Sequence, residues 1–378
     1  MTNRRQWAIV IGATLAVGVF LATIPTFRHF FDLGVYRGAV QSWLLHDGDL
    51  YRYRYQGTEY GFTYPPFAAI VFAPLAWTSW PVAVAAGLVV NAAMVGLLMR
   101  WYVLPALRSR GWTAWSVVPL VFLAFLLFEP SRDTFSYGQI NLVLLVLVGA
   151  DLRNLENNRL SGWGVGLAAA IKLTPAVFIG YLIIRRQYRA AATAVGTAAG
   201  ATLITLLVAP DESRTFWTQA LWDTQRVGRT EYVSNQSLHG VIARLQAPET
   251  AWLALVALVL AFWWWTARNA DHRTGFALTG MVACLISPIT WVHHLVWLLP
   301  ALFLLIEQSL DRPRRLAAVL GAVALMSSSL VWLWWDKPFG WLSFPGSNAY
   351  VWVTIGLMIA VGYPTIRAAT DRNRAELR

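Results

Sequence analysis

The sequence predicts an all-α polytopic membrane protein, and three observations carry that expectation. Hydrophobic residues make up 57% of the 378 residues and charged residues 13%, too little polar surface to close a water-facing globule of this size. Apolar runs of helix-spanning length recur from one end of the chain to the other. The basic residues fall in short clusters between those runs, where they set topology. The formal charge of +11 would suit a nucleic-acid partner only if it lined one solvent face, so none is expected. Cys284 is the single cysteine. It excludes an intramolecular disulfide or a cysteine-cluster metal site and reads as a small core residue.

The chain opens with Met1-Thr2-Asn3-Arg4-Arg5-Gln6 and an apolar run over 7–24. The run is long for a secretion leader and no small-x-small site follows it, so it reads as a retained signal-anchor helix, with cleavage as the alternative. Further runs lie at 67–100, 113–128, 138–150, 162–171, 174–184, 190–208, 250–267, 274–288, 291–307, 316–334 and 349–366. With a cytoplasmic N-terminus and one net crossing per run, the clusters Arg100/Arg108/Arg110, Arg153/Arg159, Arg185/Arg186/Arg189, Arg268/Arg273, Arg312/Arg314/Arg315 and the tail from Arg367 to Arg378 all face the cytoplasm. The expectation is a bundle of about twelve transmembrane helices, both termini inside, in one domain spanning 1–378.

Two stretches do not fit straight helices. Pro74 and Trp80-Pro81 interrupt 67–100, which predicts a short re-entrant or half-inserted helix before the true span. The stretch 162–184 enters and returns, turning near Lys172 and Pro175, and such breaks survive only where protein or a water-filled cavity satisfies the freed backbone. Outer segments at 25–66, 129–137, 210–249, 289–290 and 335–348, with the Lys172 turn, hold most of the unusual polar residues. Trp263-Trp264-Trp265 and Trp332, Trp334 and Trp335 read as interfacial belts.

Asp32 follows the first apolar run, and 34–46 has the spacing of a helix lying in the interface. A carboxylate there is suited to take a proton from a sugar hydroxyl, because partial desolvation raises its basicity. A helix N-cap, or an ion pair with Arg28 or Arg37, is the bland alternative. Tyr64-Pro65-Pro66 fixes an extended segment before the chain re-enters the membrane, and its hydroxyl can reach a ligand at the rim. Lys172 must snorkel, pair or meet an anion, and a lipid phosphate is such an anion. His293-His294 are adjacent, so they diverge on a helix instead of chelating. Gln139 and Asn141 open a hydrophobic span and either cap a helix or bind sugar hydroxyls. Asn235, Gln236 and His239 add polar groups in the long outer loop, which reads more simply as a polar loop. Asp47-Gly48-Asp49 beside His46 admits a divalent cation, but a turn is the simpler reading. No P-loop, nucleophile elbow or HExxH is present, which disfavours a nucleotide-driven pump, a serine hydrolase and a zincin.

In chain order, Asp32-Leu33-Gly34-Val35-Tyr36, Tyr64-Pro65-Pro66, Gly138-Gln139-Ile140-Asn141, Ile171-Lys172-Leu173-Thr174-Pro175, Asn235-Gln236-Ser237 and Ser287-Pro288 through His294 resemble the actinobacterial polyprenol-phosphate-mannose-dependent alpha-1,2-mannosyltransferases of glycosyltransferase family 87. The resemblance covers almost the whole chain, and the order of the motifs carries it. It implies a GT-C-type membrane bundle with its active site on the extracytoplasmic side of the plasma membrane. It further implies a polyprenyl-phosphate-mannose donor and a glycolipid acceptor of the phosphatidylinositol mannoside or lipomannan type. Asp32 is then the catalytic base, and Lys172 with His294 or His293 meets the donor phosphate. Tyr36, Tyr64, Gln139, Asn141, Asn235, Gln236 and His239 are the candidate substrate contacts. No metal or other cofactor is expected. A polyprenyl-phosphate-arabinose-dependent transferase and a lipid-linked-sugar flippase or transporter are the rivals. The flippase is disfavoured because the polar groups gather at one rim instead of forming a mid-membrane relay.

Overall fold

A computed structural model describes residues 3–23, 27–112, 114–157, 159–336, 339 and 342–376, and all regular structure among them is helical. Hydrocarbon leaves no alternative for a single segment, because every backbone donor and acceptor must be satisfied inside it. Among the described residues six helices are long and apolar enough to cross a membrane: Arg4–Thr23, Trp80–Ser109, Tyr188–Val208, Glu249–Ala267, Val292–Ser309 and Ala349–Arg367. A seventh results if Trp115–Leu127 and Glu129–Tyr137, bent by 74°, form one broken span. Other apolar runs fold as shorter helices, among them Asn141–Glu156, His272–Ile286 and Pro313–Ser327. The expectation of twelve crossings therefore rests on the charge pattern and not on helix length.

Proline marks where helices begin. Pro66, Pro81, Pro130, Pro175, Pro210, Pro300 and Pro313 each occupy the first turn of a helical segment, where the missing N–H has no intrahelical partner to lose. Both breaks expected from the sequence are present. Helix Pro66–Phe72 and the 3-10 turn Ala73–Trp77 precede helix Trp80–Leu98. Helix Trp163–Ile171 ends at Lys172, whose backbone is extended at φ −149° and ψ 131°, before the turn Thr174–Ala176 and helix Val177–Ile184.

Small residues hold that break in place. Trp163–Ile171 packs on Tyr188–Val208 so closely that a Cβ on Gly166 would lie 2.3 Å from the Ala194 carbonyl oxygen. Backbone approach of this kind is a main source of helix association in lipid, where the hydrophobic effect gives no preference for protein over acyl chain. The sequence thereby sets the position of Lys172 through residues that carry no chemistry.

Segment 129–137, which the sequence marked only as an outer polar segment, is helix Glu129–Tyr137, with Glu129, Ser131, Arg132, Asp133, Thr134 and Ser136 buried. Polarity signals exposure in a soluble protein, whereas in this fold polar side chains collect inside. The Pro130 start and the Gly138 stop were the usable helix signals. The tryptophan belts are also only partly right. Trp264 and Trp335 are exposed, but Trp263 is buried and donates to Thr279 Oγ1 at 3.0 Å, and Trp332 donates to Glu129 Oε1 at 2.6 Å.

Gly138 ends Glu129–Tyr137 in the left-handed region at φ 70°, and a Cβ there would lie 2.6 Å from Leu33 Cβ on helix Phe31–Leu45. Substituting Gly138→Ala is expected to cost about 1–3 kcal/mol and to lower the thermal midpoint of the detergent-solubilised protein by several degrees. An unchanged midpoint would show that this junction tolerates a side chain.

Candidate active site

Asp32, Tyr36, Tyr64, Gln139, His293 and His294 line a cavity of about 410 Å³. Lys172 stands behind Tyr64 on a smaller cavity of about 160 Å³, which shares Thr63, Tyr64 and Val227 with the larger one. Residues from widely separated parts of the chain thus meet around one tyrosine.

Asp32 lies in the first turn of helix Phe31–Leu45 but does not cap it, since Phe30 is the N-cap and no side chain caps the first turn. Nor does it pair with the nearby arginines. The acid nearest Arg28 is Asp133 at 3.8 Å, and Arg37 donates to the Thr78 carbonyl at 2.7 and 3.1 Å. Asp32 Oδ2 instead accepts from Gln139 Nε2 at 2.5 Å. Desolvation raises the carboxyl to about 6, against the opposing pull of the Gln139 hydrogen bond and the Lys172 charge. The result is a carboxylate basic enough to take a proton near neutral pH.

The Gln139 amide has no freedom to turn over. Its Oε1 accepts from the Tyr64 hydroxyl at 3.1 Å, which leaves Nε2 for Asp32. Asn91 Nδ2 holds the Gln139 carbonyl at 3.2 Å and the Gln139 N–H donates to Thr134. Tyr64 also meets the Tyr36 hydroxyl at 2.9 Å and accepts from Lys172 Nζ at 3.3 Å. A continuous hydrogen-bonded chain therefore runs from Lys172 through Tyr64 and Gln139 to Asp32.

Lys172 Nζ donates to Asn141 Oδ1 at 3.1 Å and lies 2.9 Å from His294 Nε2. The Trp291 backbone N–H donates to His294 Nδ1 at 3.1 Å, so a neutral ring carries its proton on Nε2, facing Lys172. Two nitrogen groups thus converge with no carboxylate in hydrogen-bonding reach among the described residues, an arrangement suited to an anionic oxygen. His293 faces the cavity differently. Its ring makes edge-type contacts with Tyr137 and His294, and its Nε2 is buried without a hydrogen-bond partner among the described residues.

Other residues singled out in the sequence hold the scaffold. Asn235 donates to the Thr230 and Pro288 carbonyls and accepts from the Thr290 N–H. Gln236 donates to the Val233 and Ser347 carbonyls and accepts from the N–H groups of Tyr350 and Val351. Neither amide lines the cavity, and both are spent on backbone. His239 stacks on Trp252 and meets Glu249 at 2.9 Å, also away from the cavity. Asp49 Oδ1 accepts from the Tyr51 and Arg52 N–H groups, closing the turn expected there. Arg28, Arg226, Tyr232 and Trp291 do line the cavity and were not among the sequence candidates. Only Arg28 gave a signal, its position just before Asp32.

A family profile for glycosyltransferase family 87 matches residues 62–288. The chain belongs to glycosyltransferase family 87. It is 34% identical over 304 residues to a polyprenol-phosphate-mannose-dependent alpha-(1-2)-phosphatidylinositol mannoside mannosyltransferase of Mycolicibacterium smegmatis, an alignment covering 72% of this chain and 68% of that protein. To a protein of the same name from Mycobacterium tuberculosis H37Rv it is 31% identical over 370 residues, covering 88% and 84%. To a polyprenol-phosphate-mannose-dependent alpha-(1-2)-phosphatidylinositol pentamannoside mannosyltransferase of Mycobacterium tuberculosis CDC 1551 it is 36% identical over 349 residues, covering 87% and 79%. No solved structure matches. The family 87 match includes Tyr64, Gln139, Asn141 and Lys172, and the hydrogen bonds above join Asp32 and His294 to them.

Substituting Asp32→Asn keeps an oxygen for Gln139 to donate to and removes the charge. Because folding raises this carboxyl to about 6, its contribution to stability is full below the unfolded value of about 3.9 and is lost as pH rises through 6. The variant is expected to unfold at a higher temperature than the wild type at pH 8, with the difference closing toward pH 4. A variant less stable at pH 8 would contradict the desolvation of Asp32.

Proposed function

We propose that this family 87 enzyme transfers mannose from polyprenyl-phosphate-mannose to a mannose of a glycolipid acceptor, forming an alpha-1,2 linkage by inverting displacement. The observation that carries the reading is the chain Lys172–Tyr64–Gln139–Asp32. It links a carboxylate base to a lysine that stands beside a neutral imidazole, the two kinds of group that proton acceptance and phosphate departure call for. The polyprenol-phosphate-mannose dependence in the names of three relatives supports the same donor.

In this scheme Asp32 takes the proton of the acceptor 2-hydroxyl as its oxygen forms the new bond to the anomeric carbon. The bond from that carbon to the lipid phosphate breaks, and its electron pair leaves on the phosphate oxygen. Lys172 Nζ and His294 Nε2 receive that charge as donors aimed at the developing anion. The leaving phosphate meets these two donors, so the scheme calls for no metal.

The same reading places the protein in the plasma membrane with about twelve crossings and the cavity open to the extracytoplasmic side. Helix Phe31–Leu45 then lies in the outer interface. Supporting this, Arg37 and Gln41 tie that helix to the Thr78 and Ala76 carbonyls just ahead of the Trp80–Leu98 span. Phosphatidylinositol mannosides are the acceptors favoured by the relatives' names, with lipomannan or lipoarabinomannan branches as the other acceptor class.

The test uses purified protein in nanodiscs with radiolabelled polyprenyl-phosphate-mannose, a polyprenyl-phosphate-arabinose control and a panel of glycolipids. Mannosyl transfer is expected, falling by a factor of about 100 or more in Asp32→Asn and by about 100 to 1,000 in Lys172→Met. Label incorporated only from the pentose donor, or full turnover by folded Asp32→Asn, would overturn the reading.

A further inference from the structure

Arg28 is a cation of the main cavity that the displacement scheme leaves without a task. It lines the same cavity as Asp32. Between them, His29 and Phe30 both adopt left-handed backbone at φ 53°, a conformation uncommon for residues other than glycine, though less so for histidine. The strained turn is pinned from outside: the Arg28 N–H donates to Ser136 Oγ, and the Phe30 N–H donates to the Ser136 carbonyl at 2.8 Å. This geometry delivers Arg28 and Asp32 to one space.

The Arg28 side chain is held by its flat face and by charge. Its guanidinium lies 4.5 Å from the Trp332 ring centroid and 5.9 Å from that of Tyr137. Trp332 is itself fixed by Glu129, which accepts from the indole N–H and from the Tyr350 hydroxyl. Arg28 Nε is 3.8 Å from Asp133 Oδ1, too far for a hydrogen bond, and the buried Asp133 oxygens have no hydrogen-bond partner among the described residues. The side chain is 23% exposed, and among the described residues the guanidinium donates no hydrogen bond. A stacked, partly desolvated fork of five donors without an acceptor is a group whose partners arrive with a ligand.

The two cations of the site differ in their surroundings. Lys172 has no carboxylate within hydrogen-bonding reach and suits a phosphate. Arg28 Nε sits 3.8 Å from the buried Asp133 carboxyl, a neighbour that disfavours a further anionic group there, so a neutral polyol suits it better than a second anion. We propose that Arg28 anchors the acceptor sugar, its guanidinium fork binding the vicinal hydroxyls at C3 and C4 of the mannose whose 2-hydroxyl faces Asp32. The inference rests on the proposed displacement for the choice of sugar, and it makes Arg28 a determinant of acceptor specificity.

The test pairs Arg28→Lys, which keeps the charge and loses the fork, with 3-deoxy and 4-deoxy forms of a soluble α-mannoside acceptor. In the wild type each deoxygenation is expected to weaken binding, read by calorimetry, and to raise acceptor KM about tenfold, the factor for one well-made hydrogen bond. Arg28→Lys is expected to raise acceptor KM for the parent mannoside by a similar factor with donor KM unchanged, and to bind the parent and deoxy forms alike. Equal binding of all three mannosides by the wild type, or the same deoxygenation penalty in Arg28→Lys as in wild type, overturns the assignment. Equal binding of the three mannosides by the wild type overturns the assignment even if Arg28→Lys does not fold. Binding without any transfer from polyprenyl-phosphate-mannose would count against the proposed function alone, leaving the calorimetric comparison to judge Arg28.

Discussion

The hydrogen bond from Gln139 to Asp32 is the contact on which the rest of the site depends. A carboxylate drawn out of water has two ways to relax, by taking a proton or by finding a donor. Gln139 supplies one neutral donor, which holds the carboxylate in place without quenching its basicity as a guanidinium would. The amide can do this because Tyr64 occupies its oxygen and so dictates which end faces Asp32. Tyr64 in turn meets Lys172, so the orientation of the base and the position of the cation are settled by one residue. That coupling explains why a tyrosine followed by two prolines stands where the chain turns: Pro66 at the helix start and extended Pro65 fix the tyrosine backbone before the helix begins.

The surrounding fold turns local sequence choices into this geometry. Gly138 lets a short buried helix stop in the left-handed region, which points the next residue, Gln139, toward helix Phe31–Leu45. Gly166 lets two helices approach until backbone meets backbone, which sets the height of Lys172. Asn141 then reads both sides of the site at once, accepting from Lys172 and donating to the His293 carbonyl at 3.3 Å. Asn235 and Gln236 tie their own segment to those at Pro288 and Ser347, and Arg244 adds the carbonyls of Tyr232 and Asn235 and the side chain of Asn348 to the same brace.

Sequence reading succeeded where a local rule had few competitors. Proline and an isolated lysine inside apolar runs announced the two breaks, and the sequence singled out Asp32, which lines the main cavity, because a carboxylate next to a membrane span is rare. It failed where polarity has two meanings. Asn235 and Gln236 looked like ligand contacts, yet a buried amide serves backbone carbonyls as readily as sugar hydroxyls, and only the partners reveal which. Arg28 was visible as a neighbour of Asp32, but its setting depends on Trp332 and Asp133, which no spacing rule connects to it.

The most direct measurement of the central claim is the pH profile of kcat/KM for Gln139→Leu, since that ratio reports groups of the free enzyme. Gln139 is a group that holds the carboxyl down against desolvation. Without it the account predicts that the acid limb moves to higher pH than the wild-type position near 6, with activity recovered only on the alkaline side. An acid limb that stays where the wild type has it, with transfer lowered equally at every pH, would contradict the account.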